Sequence, residues 1–159
     1  MSNRPGKVYF VGSGPGDPGL ITLRGAQLLS VADVVLYDYL VNPLILAQAN
    51  AHAELVCLGR HGYGRLLSQD EINARLVELS RQGRTVVRLK AGDPIVFARA
   101  AEEISTLDSA GVPYEVVPGI TAALAVGSYA GIPLTHGEGA SAVALVTGQE
   151  REGKTAQAL

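Results

Sequence analysis

The sequence has one cysteine, Cys57, no tryptophan, and few charges, at 18% of 159 residues. One cysteine excludes a disulfide framework and makes a reducing cytoplasm the default compartment. It also excludes a cysteine-based zinc site, and His52, His61 and His136 lack the spacing of metal ligands. No metal is therefore expected. Lys and Arg number 13 against 15 Asp and Glu, a net charge of −2. That balance leaves no electrostatic footprint for nucleic acid or for an anionic membrane. Long apolar runs are missing as well. Stretches such as residues 31–36 fall far short of the ~20 residues that a bilayer span needs. Residues 1–6 lack the apolar centre of a secretory signal.

What is present is an apolar content of 47%, enough for one well-buried domain. Short valine-rich runs alternate with helical patterns. Residues 7–11, 33–37, 54–58, 85–89 and 114–117 read as strands, nearly continuous in apolar character as parallel strands buried on both faces are. Residues 22–31, 43–49, 69–82, 98–109 and 120–130 read as helices. Ser68 followed by Glu71 is a capping box, Pro43 suits a first helical turn, and Gly83 and Gly111 suit helix ends. The pattern predicts an α/β fold: an open, five-stranded, mostly parallel sheet with helices on both faces. A sixth strand is expected at 142–147. The division expected is an α/β domain at 1–137, with 138–159 as a linker and the first strand of a truncated second domain.

The richest segment runs from Val8 through Gly12, Gly14, Pro15, Gly16, Asp17, Pro18 and Gly19. A strand enters a glycine loop and a helix follows, the place where open α/β sheets bind small molecules. Gly12, Gly14 and Gly16, with Asp38 ending the next strand, resemble a dinucleotide fingerprint. The third glycine comes one residue early, however, and Pro15, Pro18 and Asp17 withhold the N–H donors and add the anion that a phosphate cradle avoids. Residues 148–155 match the P-loop pattern G-x-x-x-x-G-K-T, but Glu150 and Glu152 stand where phosphate oxygens would go, so a surface turn is the better reading. Asp38 is placed for general-base work or for a ligand, and equally for an ordinary turn. Lys90, Ala91, Gly92 and Asp93-Pro94 follow the fourth strand, and Pro118, Gly119, Thr121 and Ala122 the fifth. Three strand ends with small residues make a flat-walled cleft, which suits a planar adenine and a thioether better than a triphosphate. Arg60, His61, Arg65, Lys90 and Arg99 add positive charge near this rim. They could meet a carboxylate-rich substrate or be plain solvated surface.

Six segments in order resemble the tetrapyrrole methylases, specifically the uroporphyrinogen-III C-methyltransferases. They are V-x-x-V-G-x-G-P-G-D-P-x-L-x-T-L at 8–23, A-D-V-V-L-Y-D-x-L-V at 32–41, Q-D-E-I-N at 69–73, L-K-x-G-D-P-x-V-F at 89–97, P-G-I-T-A-A at 118–123 and G-I-P-L-T-H at 131–136. The resemblance implies S-adenosylmethionine as methyl donor and a tetrapyrrole precursor as acceptor, methylated twice on carbon to precorrin-2 on the way to sirohaem and cobalamin. It implies cofactor contacts at Pro15, Ala91, Gly92, Asp93, Val96, Thr121 and Ala122. Asp38 falls on the family's proton acceptor. Arg60 falls where the family's proton-donating lysine stands. Ala91, Ala98, Ala100 and Ala101 replace family glycines, and Gly137 replaces an arginine. A homodimer is implied for the full-length protein, and inactivity for this stretch alone.

Overall fold

The computed structural model describes residues 6–59 and 67–148. Arg60, His61, Arg65 and all but the first residue of the P-loop-like stretch lie outside them. The chain divides into two compact units, Met1–Ala122 and Ala123–Leu159.

The first unit carries a five-stranded sheet. Its strands are β1 (Lys7–Gly12), β2 (Val34–Tyr37), β3 (Glu54–Cys57), β4 (Thr85–Lys90) and β5 (Tyr114–Val117). Their order is β3-β2-β4-β1-β5, and every pairing is parallel. Between them run α1 (Leu23–Val31), α2 (Pro43–Leu46), α3 (Gln69–Arg81) and α4 (Ala100–Ser109). Side chains alternate across a strand, and here the alternation builds two cores. Val8, Phe10, Val34, Leu36 and Val86 face Ile72, Leu76 and Leu79 of α3 and Leu107 of α4. Val11, Val35, Val87 and Leu89 face Leu28 and Leu29 of α1 and Ile45 of α2. Both faces are covered, as the near-continuous apolar strands require.

Local signals explain most of the boundaries. Thr22 accepts the Gly25 N–H at 3.1 Å to start α1, and Asn42 caps α2 ahead of Pro43. The capping box at Ser68 and Glu71 is formed in full. After α3 and α4, Gly83 and Gly111 take positive φ. The paired bonds Arg84 N–H to Leu79 and Gly83 N–H to Ser80, then Val112 N–H to Leu107 and Gly111 N–H to Asp108, close both helices in the Schellman manner.

Three expectations are corrected. α4 begins at Ala100, not at 98, because Arg99 sits at φ 53°, outside the right-handed helical well. α2 ends at Leu46, and residues 47–49 continue as turns. Residues 142–147 form no strand and are exposed. An apolar run becomes a strand only when it finds a ladder partner, and none of the sheet's pairings among the described residues includes this segment.

α5 (Ala122–Ala130), all but its first residue in the second unit, closes by the same glycine device. Ile132 N–H donates to Gly127 and Gly131 N–H to Ser128. Gly127 leaves room for Leu134, whose Cδ2 lies 2.9 Å from where a Cβ would stand.

Candidate functional site

Because every strand is parallel, all strand carboxyl ends share one rim. The register sets Gly12 level with Lys90, Val11 level with Val117, and Tyr37 level with Leu89. β4 lies between β2 and β1. Its outgoing connection leads to α4 on one face, whereas those of β1 and β2 lead to α1 and α2 on the other. Strand ends that part in this way are where ligands bind in open α/β sheets.

On the β1 side of β4, the backbones of three loops meet. Gly14 and Gly92 exchange N–H···O bonds of 3.1 and 2.8 Å, and Ser13 N–H donates to Lys90 at 2.8 Å. A Cβ on Gly12 would stand 2.6 Å from Gly119 Cα and from the Gly92 carbonyl, so only glycine permits this approach. A Cβ on Gly92, which sits at φ 66°, would stand 3.7 and 3.9 Å from Thr121 Cα and Ala122 N. The carboxylate of Asp93 is committed to the loops themselves, accepting Ile95 N–H at 2.9 Å and Gly119 N–H at 3.0 Å. Asp17 likewise caps its own turn through Gly19 N–H at 2.8 Å. Asn42 Nδ2 donates to the Gly16 carbonyl at 2.7 Å and fixes the outer part of the loop.

On the β2 side of β4 lies a cavity of about 280 Å³, lined among others by Asp38, Tyr39, Leu58, Phe97, Arg88 and Lys90. Its polar wall is a buried ionic network. Arg88 and Lys90 alternate with Val87 and Leu89 along β4, so both project on the α3/α4 face. There they meet Glu103 of α4, which is 1% exposed. Glu103 accepts Arg88 Nε at 3.2 Å, Lys90 Nζ at 2.9 Å and Gln69 Nε2 at 3.3 Å. Arg88 Nη2 also reaches Asp38 Oδ1 at 2.6 Å. Burial holds the Lys90 ammonium below the usual lysine range, and the Arg88 charge pushes the same way, against Glu103. No buried side-chain nitrogen or oxygen among the described residues lacks a partner. Phe97 and Arg99, beside the cavity, are the two non-glycine residues with positive φ among the described residues. Arg99 is exposed and pairs with Glu102 at 2.6 Å.

The structure thus brings Pro15, Ala91, Gly92, Asp93, Thr121 and Ala122 to the strand ends of β1, β4 and β5. Val96 follows on the β4 loop, where its N–H donates to the Asp93 carbonyl at 3.3 Å. Asp38 directly follows β2, its N–H donating to the Leu89 carbonyl at 3.2 Å. Arg60 lies outside the described residues. Ala91, Ala98, Ala100 and Ala101 all sit at negative φ, so replacing glycine there costs no backbone strain. Arg88 and Glu103 were not legible as site residues. A signal was available: an arginine inside an otherwise apolar buried strand needs a buried anion, and the following helix supplies Glu102 and Glu103.

The chain matches the family model described as Tetrapyrrole (Corrin/Porphyrin) Methylases over residues 7–159. It is 52% identical over 151 residues to a siroheme synthase of Sodalis glossinidius, covering 95% of this chain and 32% of that protein. It is 51% identical over 152 residues to one of Chromobacterium violaceum, again covering 32% of it. Among solved structures, uroporphyrin-III-C-methyltransferase from Thermus thermophilus superposes with a TM-score of 0.73 at 50% identity, over 82% of this chain and 55% of that one. A cobalt precorrin-4 methyltransferase gives 0.73 at 37% identity, over 82% and 52%. The chain therefore spans about a third of the curated relatives it matches, 32% for the first of them, and about half of the solved structures. Together with the all-parallel sheet and its gathered glycine loops, these matches establish that the chain belongs to the tetrapyrrole methylase family.

Proposed function

We propose that this chain forms the amino-terminal part of an S-adenosylmethionine-dependent C-methyltransferase that acts on uroporphyrinogen III and yields precorrin-2. The carrying observation is the shared rim: three glycine loops on one side of β4, and the half-exposed Asp38 carboxylate over a cavity on the other. The donor fits the loop side. No lysine or arginine stands among Pro15, Ala91–Asp93 and Thr121–Ala122, two prolines remove N–H groups, and small residues leave flat walls. That chemistry suits a neutral nucleoside with a sulfonium better than a polyphosphate. A Thermus thermophilus uroporphyrin-III C-methyl transferase at 47% identity and a TM-score of 0.69 was solved complexed with S-adenyl homocysteine. The identities, 50% to the uroporphyrin-III enzyme and 37% to the precorrin-4 enzyme, favour the earlier substrate.

The co-substrate supplies an electrophilic methyl group. Methylating a fully substituted pyrrole carbon leaves a cation that must shed a proton from elsewhere in the macrocycle, and Asp38 accepts it. Arg60, which stands where the family has a lysine, carries a guanidinium that hardly releases a proton. Its role in this reading is to pair with a carboxylate of the substrate.

The relatives' further length supplies the rest of the cofactor site in this reading, so the chain alone binds weakly and does not turn over. Calorimetry with S-adenosylhomocysteine tests it. The full-length protein is expected to bind, and the isolated chain to lose ~100-fold or more in affinity, about 2.7 kcal/mol. Equal affinity of the two would contradict the shared site, and ATP binding that depends on Lys154 would replace this function with a nucleotide-binding one.

A further inference from the structure

We propose that Arg88 is a positioning residue for methyl transfer: anchored on the buried Glu103, its guanidinium fixes the direction of the Asp38 carboxylate at the cavity. The proposal rests on the reading of Asp38 as the base.

The geometry is specific to a planar fork. Nε and Nη2 of Arg88 both reach Glu103, at 3.2 and 3.3 Å, and Nη1 donates to the Leu89 carbonyl at 3.3 Å. Nη2 then spans to Asp38 Oδ1 at 2.6 Å. Every nitrogen of the guanidinium is held, so the group cannot swing. Arg88 lines the cavity but is 3% exposed with every guanidinium nitrogen already bonded, so it acts through Asp38. Asp38 itself is 31% exposed on its side chain. It lies one residue past the end of β2; its N–H still donates to the Leu89 carbonyl at 3.2 Å, which fixes the backbone, and Arg88 fixes the carboxylate.

The network is poorly explained by stability. Three buried ions lose solvation when they leave water, and well-packed apolar residues of similar volume often serve a core as well or better. What the network does supply is order. Glu103 is locked by Arg88, Lys90 and Gln69, and Arg88 carries that order from α4 to the one partly exposed acid of the group. A lysine at position 88 would keep the charge but lose the fork that spans two carboxylates.

A double-mutant cycle in the full-length protein, with single-turnover methyl transfer as readout, tests this. Arg88→Lys preserves the charge balance, and urea denaturation checks that it folds. Arg88→Gln serves for the same cycle if it does not. The transfer rate at saturation is expected to fall about 10- to 100-fold, as misplacing a reacting group does. The apparent KM for the tetrapyrrole and the affinity for S-adenosylhomocysteine are expected to stay within about twofold. In an Asp38→Asn background the same substitution is expected to change the rate by less than about twofold, because its route is already cut. A slow Asp38→Asn protein beside a full-rate Arg88→Lys protein would overturn this inference alone. So would an Arg88→Lys effect of equal size in both backgrounds. A full-rate Asp38→Asn protein would instead remove the base itself.

Discussion

Gly12, Gly92 and Gly119 form a contact in which three backbones touch with no side chain between them. A Cβ on Gly119 would overlap the Gly92 carbonyl and stand 2.7 Å from Gly12 Cα. Backbone cannot swing aside as a flexible side chain can, so Gly119→Ala is expected to cost ~1–3 kcal/mol. Gly111, at φ 66°, faces open space. Gly111→Ala meets only the left-handed strain, ~1 kcal/mol. Urea denaturation of both variants checks the ranking, and an equal or reversed order would show that the loops are less tightly packed than described. At this scale the sequence is informative about the glycines, because a glycine is a statement about backbone. It is less informative about Arg88 and Glu103. They are separated by 15 positions along the chain and meet only because β4 and α4 pack on one face. Asp38 was legible as a strand-end acid, whereas its partner was hidden inside an apolar strand.

Helices and strands here begin and end where short-range chemistry tells them to. Ser68 accepts the Glu71 N–H at 3.2 Å, and Glu71 returns the bond to the Ser68 N–H at 2.8 Å. Ser68→Ala removes one half of this box and is expected to cost ~1 kcal/mol, read as a lowered urea midpoint with unchanged slope. A midpoint equal to the parent would mean that α3 is held by its packing on Val8, Phe10 and Val86 alone. The boundaries legible in the sequence are those with such signals: Pro43, Ser68, Gly83 and Gly111. The start of α4 was not legible, because nothing in the sequence marks Arg99 as a left-handed residue. Residues 142–147 show the converse. Their short apolar run is that of a buried strand, but such a run describes only burial, and a strand also needs a neighbour.

At the scale of the whole molecule, the parallel sheet turns local loops into a site. Order β3-β2-β4-β1-β5 sets β4 between the strand that ends in Asp38 and the strand that ends in the glycine loop. In the proposed function, cofactor binding and proton transfer occupy opposite sides of one strand, joined through Lys90, Ala91 and Gly92. The parallel α/β class was legible from five valine-rich runs with helical patterns between them. The strand order was not, because it depends on which edges pair and no single run encodes that. The central claim is that Asp38 removes the proton displaced by methylation. Single-turnover methylation of uroporphyrinogen III by the full-length protein, parent against Asp38→Asn, tests it most directly. The substitution keeps shape while removing basicity. The account predicts a transfer rate lower by about 10²–10⁴-fold with S-adenosylhomocysteine affinity nearly unchanged, and an Asp38→Asn protein that transfers methyl at the parent rate would contradict it.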